Sequence, residues 1–221
     1  MARKVSKRES KENRRKRAQK ILRRLRRHFP EAATALDHHD PWQLLVATIL
    51  SAQCTDERVN QVTPALFRHY PRIQDFAESP NGELEQLIRS TGFFNNKAKN
   101  IRGAARRVLE VHQGQVPDEM EALLALPGVA RKTANCVLGT AFGKNVGVVV
   151  DTHVGRLARR FGFTAEKNPV KVERDLMELF PQKSWTYLSH ALILHGRATC
   201  KARKADCESC KFADLCPQIE V

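Results

Sequence analysis

Apolar residues recur at helical spacing along almost the whole of this 221-residue chain, and this periodicity restricts the fold more than any other feature of the sequence. In the first run, which starts near residue 18, Ile21, Leu25 and Phe29 share one helical face. Further helices are predicted from residue 41 and over residues 56–70, 83–90, 97–112, 118–125, 130–141, 152–161, 169–180 and 185–197. The run Val146–Val150 is β-branched enough for a strand but is isolated. The sequence therefore predicts an all-α protein.

Positive charge is concentrated at the N-terminus. Between Met1 and Arg27 there are 14 basic and two acidic residues, so this segment carries +12 of the total charge of +14. A basic arm of this kind suits nucleic acid, because neutralising phosphates releases counterions. A solvated extension or a localisation signal would have the same composition. We expect residues 1–17 to form a disordered basic tail, since their charge leaves little to bury.

The remaining composition is that of a soluble globular protein, with 42% hydrophobic and 28% charged residues. No apolar stretch is long enough to span a membrane, and the charged N-terminus does not resemble a secretory signal. We therefore expect a cytoplasmic protein.

The segment Leu126–Ala134 joins two predicted helices by a very tight turn, in which Gly128 supplies the conformational freedom. Such a turn can be a simple connector. It also leaves backbone N–H groups free where the second helix begins, and these groups can bind an anion such as a phosphate.

Lys132 stands in the first turn of that second helix and points away from its apolar face. The helix dipole disfavours a positive charge there, which suits an amine that attacks a substrate, although an exposed lysine often has no role. Nineteen residues later, Asp151 ends an apolar run and starts a helical pattern. A carboxylate there can cap the helix, stabilise a cation or accept a proton from a lysine.

Four of the six cysteines crowd the last 22 residues, with six, two and five residues between them: Cys200, Cys207, Cys210 and Cys216. A reducing compartment argues against two disulfides. A zinc site and a four-iron cluster are both compatible with the spacing, which has one close pair flanked by two single cysteines. Cys54 and Cys136 lie among small or apolar neighbours and are expected to be buried and inert.

The hairpin, Lys132, the Asp151 motif and the cysteine array resemble the endonuclease III family in order and spacing, from about residue 20 to 217. The stretches Leu50–Asp56 and Gly92–Ala98 agree as well. The resemblance implies two helical domains flanking a DNA-binding cleft, with a helix-hairpin-helix motif and a [4Fe–4S] cluster held by the four C-terminal cysteines. We expect a cluster domain from residues 18–33 and 146–221, and a six-helix domain from residues 34–145.

By resemblance, the chain is a base-excision repair DNA glycosylase and AP lyase that acts on oxidised pyrimidines, such as thymine glycol, in duplex DNA. Lys132 would attack the sugar of a flipped nucleotide, form a Schiff base and allow β-elimination, and Asp151 would assist it. The expected partner is double-stranded DNA containing damaged bases or abasic sites, and the protein is expected to act as a monomer.

The resemblance also assigns residues that contact DNA. Gln53 would fill the gap left by the flipped nucleotide, Phe93 would act as an apolar wedge, and Asp56 and His153 would lie near the base pocket. For Phe93 and its neighbour, core packing is the alternative. The remaining predicted DNA contacts are Gly128, Ala130, Arg131, Lys201, Arg203, Lys204 and Lys211.

Two residues depart from the family pattern. Ala130 replaces a common glycine in the hairpin, and Phe94 replaces a usual tyrosine. Two other functions are compatible with parts of the pattern. An adenine-mismatch glycosylase lacks the lysine at position 132 and has a further C-terminal domain, and a non-enzymatic helix-hairpin-helix module needs no paired lysine and carboxylate.

Overall fold

The computed structural model describes residues 9–221 and is almost entirely helical over that range. Its only β pairing is an isolated bridge between Cys200 and Ala205 in these residues, so the prediction of an all-α chain is confirmed. The helices are α1 Lys11–His28, α2 Pro41–Leu50, α3 Asp56–His69, α4 Ile73–Glu78, α5 Glu83–Leu87, α6 Phe94–His112, α7 Met120–Leu124, α8 Arg131–Ala141, α9 Thr152–Arg160, α10 Pro169–Leu179 and α11 Trp185–Ala198. Two short 3-10 helices cover Arg89–Thr91 and Gln182–Ser184. Within residues 9–221, no helix has the length and apolarity needed to cross a membrane.

The chain divides into two compact units. The central unit is Thr34–Val146, and the terminal unit combines the segment up to Ala33 with Gly147–Val221. Each unit has its own hydrophobic core. The β-branched run Val146–Val150, at the boundary, forms no strand.

In the central unit, α2 is the innermost helix. Asp40 caps it by accepting a hydrogen bond of 2.8 Å from the Gln43 amide, and Pro41 occupies its first turn, where no backbone N–H is needed. Its apolar residues are buried against α3, α6 and α8. Because α2 is enclosed by other helices, it fixes the positions of the chain segments attached to its two ends.

The central unit contains seven α-helices rather than the six predicted. The additional helix, α4, is only six residues long and has no periodicity that could indicate it. It is stabilised by burial of Phe76 and by a reciprocal contact between Arg72 and Asp75 at its N-terminus. Pro64 lies inside α3 and does not split it.

In the terminal unit, α1 packs against α10 and α11 through a buried apolar face that includes Ile21 and Leu25. Aromatic residues surround the end of α11. The His195 and Phe212 rings have centroids 4.8 Å apart, and Phe161 stacks on His195 at 6.0 Å. This cluster lies directly under the C-terminal cysteines.

The prediction that residues 1–17 form a disordered tail is wrong for residues 11–17, which belong to α1. Ser10 caps the helix by accepting from the Asn13 amide. Arg17 donates to the backbone carbonyls of Phe161 and Leu215 at 2.6 and 3.2 Å and binds Glu9. Phe161 and Leu215 are far from Arg17 in the chain, so the local charge run does not indicate these two contacts. Residues 1–8 lie outside the described residues.

Candidate functional site

The predicted helix-hairpin-helix is present in the central unit, where residues 125–130 connect α7 to α8. The Val129 amide donates to the Leu126 carbonyl at 3.2 Å and closes the turn, while Gly128 has a φ of +78°. A Cβ atom on Gly128 would lie 2.7 Å from Cβ and 3.0 Å from Cγ of Asn100 in α6. Glycine is therefore required at this position for two reasons, namely the left-handed backbone and the close approach of α6.

The N-terminus of α8 has no side-chain cap. Its cap residue, Ala130, has ordinary extended backbone angles (φ −92°, ψ 169°) and makes no side-chain hydrogen bond to the helix. The replacement of a family glycine by Ala130 therefore strains nothing. Arg131 and Lys132, the first two residues of α8, are both exposed. The first-turn backbone N–H groups, the helix dipole and two cationic side chains make this end of α8 suitable for a phosphate group.

Below Lys132, the next turn of α8 carries Cys136, which is buried as expected. Burial raises the pKa of its thiol, while the positive charge of Lys132 opposes that shift and the carboxylate of Asp56 reinforces it. Both charged groups therefore lie within electrostatic range of the same thiol. The central unit thus brings the predicted attacking lysine and a predicted base-pocket residue to one region.

Gln53 and Phe93 have left-handed backbone conformations although neither is glycine, with φ of +53° and +48°. Gln53 is exposed in the turn after α2, and the Phe93 side chain is 62% exposed immediately before α6. Such a conformation costs about 1–3 kcal/mol, persists only where the surrounding structure fixes it, and occurs often at functional sites. An aromatic ring held in solvent in a strained conformation is not explained by core packing.

Phe94 shows the alternative behaviour. It is half-buried against the core of the central unit, and the Arg89 guanidinium lies 6.0 Å from its ring centroid. Of the two neighbouring phenylalanines, one is therefore a packing residue and the other projects into solvent.

In the terminal unit, Asp151 caps α9. Its Oδ1 atom accepts a hydrogen bond of 2.7 Å from the Val154 amide, and Oδ2 is not used by this cap. His153, in the first turn of α9, is half-buried, and its Nδ1 atom lies 3.2 Å from Nη2 of Arg156. Burial lowers the pKa of His153, and the Asp151 carboxylate opposes that shift. The charge of Asp151 therefore acts on the His153 imidazole.

The four C-terminal cysteines line a common cavity. Burial raises the pKa of Cys216 to about 11, and the charges of the other three cysteines add to that effect. Arg160 donates to Sγ of Cys200 at 3.3 Å, and the Gln218 amide donates to Sγ of Cys216 at 3.4 Å. Grouped thiols with N–H donors directed at sulfur are suited to a bound metal group.

Among the residues described, no three His, Cys, Asp or Glu side chains lie close enough together to hold one metal ion. His195 also lines the cavity, and burial lowers its pKa to about 4.

The basic residues predicted to face DNA in this loop, Lys201, Arg203, Lys204 and Lys211, are all exposed. The loop itself is anchored from within. Arg160, on α9, donates to the carbonyls of Lys201 and Ala202 at 2.8 and 2.9 Å, and Arg24, on α1, binds the Lys211 carbonyl and Asp214. The two arginines that anchor the loop are therefore different residues from the four basic residues that face solvent.

Sequence reasoning missed three residues that hold these segments in place. They are Asn100, which packs against the hairpin, Arg160, which fastens the cysteine loop, and Lys97, whose buried ammonium group binds the Leu50 and Thr91 carbonyls. Lys97 is part of the stretch Gly92–Ala98 that carries the family resemblance. No property of a charged residue in a sequence indicates that it is buried.

Comparison with known proteins agrees with this geometry. Residues 46–182 match the family model described as the HhH-GPD superfamily base excision DNA repair protein. Endonuclease III of Synechocystis is 56% identical over 94% of this chain and 95% of its own. A non-covalent complex of endonuclease III with DNA superimposes with a TM-score of 0.88 at 41% identity, covering 92% and 95% of the two chains. A trapped covalent intermediate of endonuclease III with DNA gives the same TM-score at 40% identity, covering 92% and 96%. The chain therefore belongs to the endonuclease III family, within the HhH-GPD superfamily of base excision DNA repair proteins.

Proposed function

We propose that this base excision repair glycosylase and AP lyase removes oxidised pyrimidines such as thymine glycol from duplex DNA, acting as a cytoplasmic, DNA-associated monomer. The observation that carries the proposal is the exposed Lys132 on the first turn of α8, directly after a hairpin whose amides have no side-chain cap. A relative that was trapped as a covalent intermediate with DNA supports the same chemistry.

In the first step, the neutral Nζ amine of Lys132 attacks C1′ of the damaged nucleotide. A bond forms between nitrogen and C1′ while the bond between C1′ and the base breaks, and the base leaves with a proton. The positive charge that develops on the sugar must be stabilised during this step. We assign this task to the Asp151 carboxylate, which also serves as a proton acceptor for the lysine ammonium.

In the second step, the sugar ring opens and the link between Lys132 and C1′ becomes a Schiff base. The iminium withdraws electrons, so that the C2′ proton becomes acidic and is lost to a base. The resulting electron pair forms a double bond between C2′ and C3′ and expels the 3′ phosphate. Water then hydrolyses the imine and releases the enzyme. One lysine thereby accounts for both base removal and strand cleavage.

Recognition requires that the damaged nucleotide leave the helical stack, which costs a few kcal/mol. We assign Gln53 to the space the nucleotide leaves and Phe93 to the partner base. Exposure of the Phe93 ring and the left-handed backbone of both residues support this assignment. Asp56 and His153 are proposed to contact the extruded base.

The DNA backbone is proposed to bind at two places. The first is the hairpin, where Gly128 and Ala130 give the backbone amides access to a phosphate and Arg131 adds charge. The second is the cysteine loop, whose exposed basic residues are Lys201, Arg203, Lys204 and Lys211.

We propose that the four thiolates of that loop hold a [4Fe–4S] cluster, for which the endonuclease III family is generally known. The cavity that the four thiols share and the N–H donors to sulfur support a metal group at this site, and the family resemblance favours a cluster over zinc. When bound, the cluster supplies structural order to the loop that presents the four basic residues. Purified protein should be yellow-brown and contain about four irons and four sulfides per chain, whereas a zinc protein would be colourless.

Incision of a duplex with one thymine glycol tests the function directly. Parent protein should release the base and cut the strand, whereas it should leave an undamaged duplex intact. Lys132→Ala should bind the damaged duplex without cutting it, and Lys99→Ala, which removes an exposed lysine of α6, should cut normally. A protein that binds but never cuts either duplex would be a DNA-binding module. Cutting only at an adenine mismatch would indicate the other glycosylase class.

A further inference from the structure

Lys97 is a buried cation in the central unit, with only 4% of its surface exposed. Its Nζ atom donates two hydrogen bonds of 2.7 Å, one to the Leu50 carbonyl and one to the Thr91 carbonyl. Burial lowers the pKa of its ammonium group. A lysine in such a place is costly unless its contacts are needed.

Both acceptors are the last residues of helices. Leu50 ends α2, and Thr91 ends the 3-10 helix Arg89–Thr91. Carbonyls at a helical C-terminus lack intrahelical partners and carry the negative end of the dipole, so a cation stabilises them. One ammonium group therefore joins the ends of two helices that are 41 positions apart in the sequence.

The segments that leave these two helix ends carry two of the three non-glycine residues of the central unit that have a left-handed φ, the third being Gln113 at the end of α6. Gln53 follows Leu50 by three positions, and Phe93 follows Thr91 by two. Strained conformations persist only where the surrounding structure fixes them. Fixing the point from which each segment starts is the most direct way to do so.

We infer that Lys97 is a positioning residue, which holds the Gln53 and Phe93 segments at a fixed separation so that both enter the DNA stack together. The inference rests on the proposed roles of Gln53 and Phe93. It adds that their spacing is set by a buried cation that does not itself reach the DNA.

The variant Lys97→Met tests this because it keeps the length of the side chain and removes the ammonium group. Binding would be measured to a duplex with a stable abasic-site analogue, which requires insertion of both residues, and to an undamaged duplex, which does not. We expect the preference for the abasic duplex to fall about tenfold while undamaged binding is unchanged. Lys99→Met, an equal loss of charge on the exposed face of α6, should change neither affinity.

A double-mutant cycle separates positioning from general destabilisation. If Lys97 acts through the two segments, Lys97→Met should cost much less in a Gln53→Ala/Phe93→Ala background than in the parent protein. A loss of stability alone would lower binding by the same factor in both backgrounds. Fluorescence of 2-aminopurine opposite the abasic site should rise on binding of the parent protein, as the base is unstacked, and rise less with Lys97→Met.

The outcomes are distinguishable. If Gln53→Ala/Phe93→Ala leaves the preference for abasic DNA intact, the proposed insertion roles are wrong. If that pair lowers the preference but Lys97→Met does not, or if the effects are additive, the positioning role is overturned. Should Lys97→Met not fold, Lys97→Gln, whose amide can donate to one carbonyl, is measured in the same cycle and judged by the same criterion.

Discussion

Gly128→Ala should destabilise the central unit because of a contact that can be located in the structure. A Cβ atom at position 128 would lie 2.7 Å from Cβ of Asn100. That atom is attached to the backbone of α6, so no change of rotamer removes the overlap. Either the hairpin or α6 must move, at about 1–3 kcal/mol for an overpacked site, and the left-handed φ of +78° adds about 1–2 kcal/mol.

Gly143→Ala provides the matched control. Gly143 also has a left-handed φ, of +66°, but nothing lies within 4 Å of the position a Cβ would take. It should therefore cost only the backbone part, about 1–2 kcal/mol, against about 2–5 kcal/mol for Gly128→Ala. The difference between the two variants measures the contact with Asn100 alone.

The assay is guanidinium-induced unfolding in a Trp185→Phe background. The chain has two tryptophans, so Trp42, which is buried in the central unit, would be the remaining fluorescent reporter. Asn100→Gly removes the clashing Cβ and should recover part of the loss caused by Gly128→Ala, despite its own helix penalty of about 1 kcal/mol. Equal destabilisation by Gly128→Ala and Gly143→Ala would refute the reasoning.

Three further predictions concern the proposed roles of other residues. Asp151→Asn keeps an amide oxygen for the helix cap, so it should change the free energy of unfolding by less than about 0.5 kcal/mol while greatly slowing incision. Asp151→Ala should slow incision and also lose about 1 kcal/mol of stability. Normal incision by the Asn variant would exclude a charge-dependent role. Phe93→Gly relieves a left-handed φ of +48° and should stabilise the protein by about 1 kcal/mol in thermal unfolding. The same variant should bind an abasic site more weakly. A destabilised variant would show that the Phe93 ring packs against the protein. Serine at Cys200 or Cys216 should remove bound iron and colour, whereas Cys136→Ser should retain both, as measured by iron content, and iron retained in the first two would disprove the ligand assignment.

Helix positions could be predicted wherever the sequence contains both periodicity and a cap. The pairs Asp40–Pro41 and Asn168–Pro169 mark helix starts that the structure reproduces at the same residues, because capping depends on local geometry. The short helix α4 could not be predicted, since six residues are fewer than two turns and its stability comes from burial of Phe76. Tertiary contacts, rather than the local sequence, determine whether such a short helix forms.

The start of α1 is a second element that depends on tertiary contacts, here within a highly charged segment. Its first residues are almost all charged, and composition indicates disorder. The structure instead stabilises them through Arg17, whose partners at Phe161 and Leu215 come from the other end of the chain. A sequence pattern indicates contacts between residues that are close in the chain, whereas Arg17 and these two partners are far apart in it.

At the candidate site, the sequence predicts which secondary-structure positions Lys132 and Asp151 occupy, but not the backbone conformations nearby. Lys132 and Asp151 could be singled out because each lies at a helix start with a distinctive neighbourhood, and their placement at those starts was derived from helical spacing. The left-handed backbones of Gln53 and Phe93 had no local signal, since neither is glycine or asparagine. For Gln53, the proposed cause is Lys97, which lies in α6 and binds the carbonyl of Leu50 at the end of α2.

The central claim is that Lys132 forms a covalent bond with the sugar, and borohydride trapping tests it most directly. Parent protein would be mixed with a duplex containing one thymine glycol, and with an abasic duplex, in the presence of borohydride. We predict a covalent protein–DNA product with both duplexes for the parent and for Lys99→Ala, and none with either duplex for a folded Lys132→Ala that still binds DNA. Trapping by Lys132→Ala at the parent level, or no trapping by the parent protein, would contradict the account.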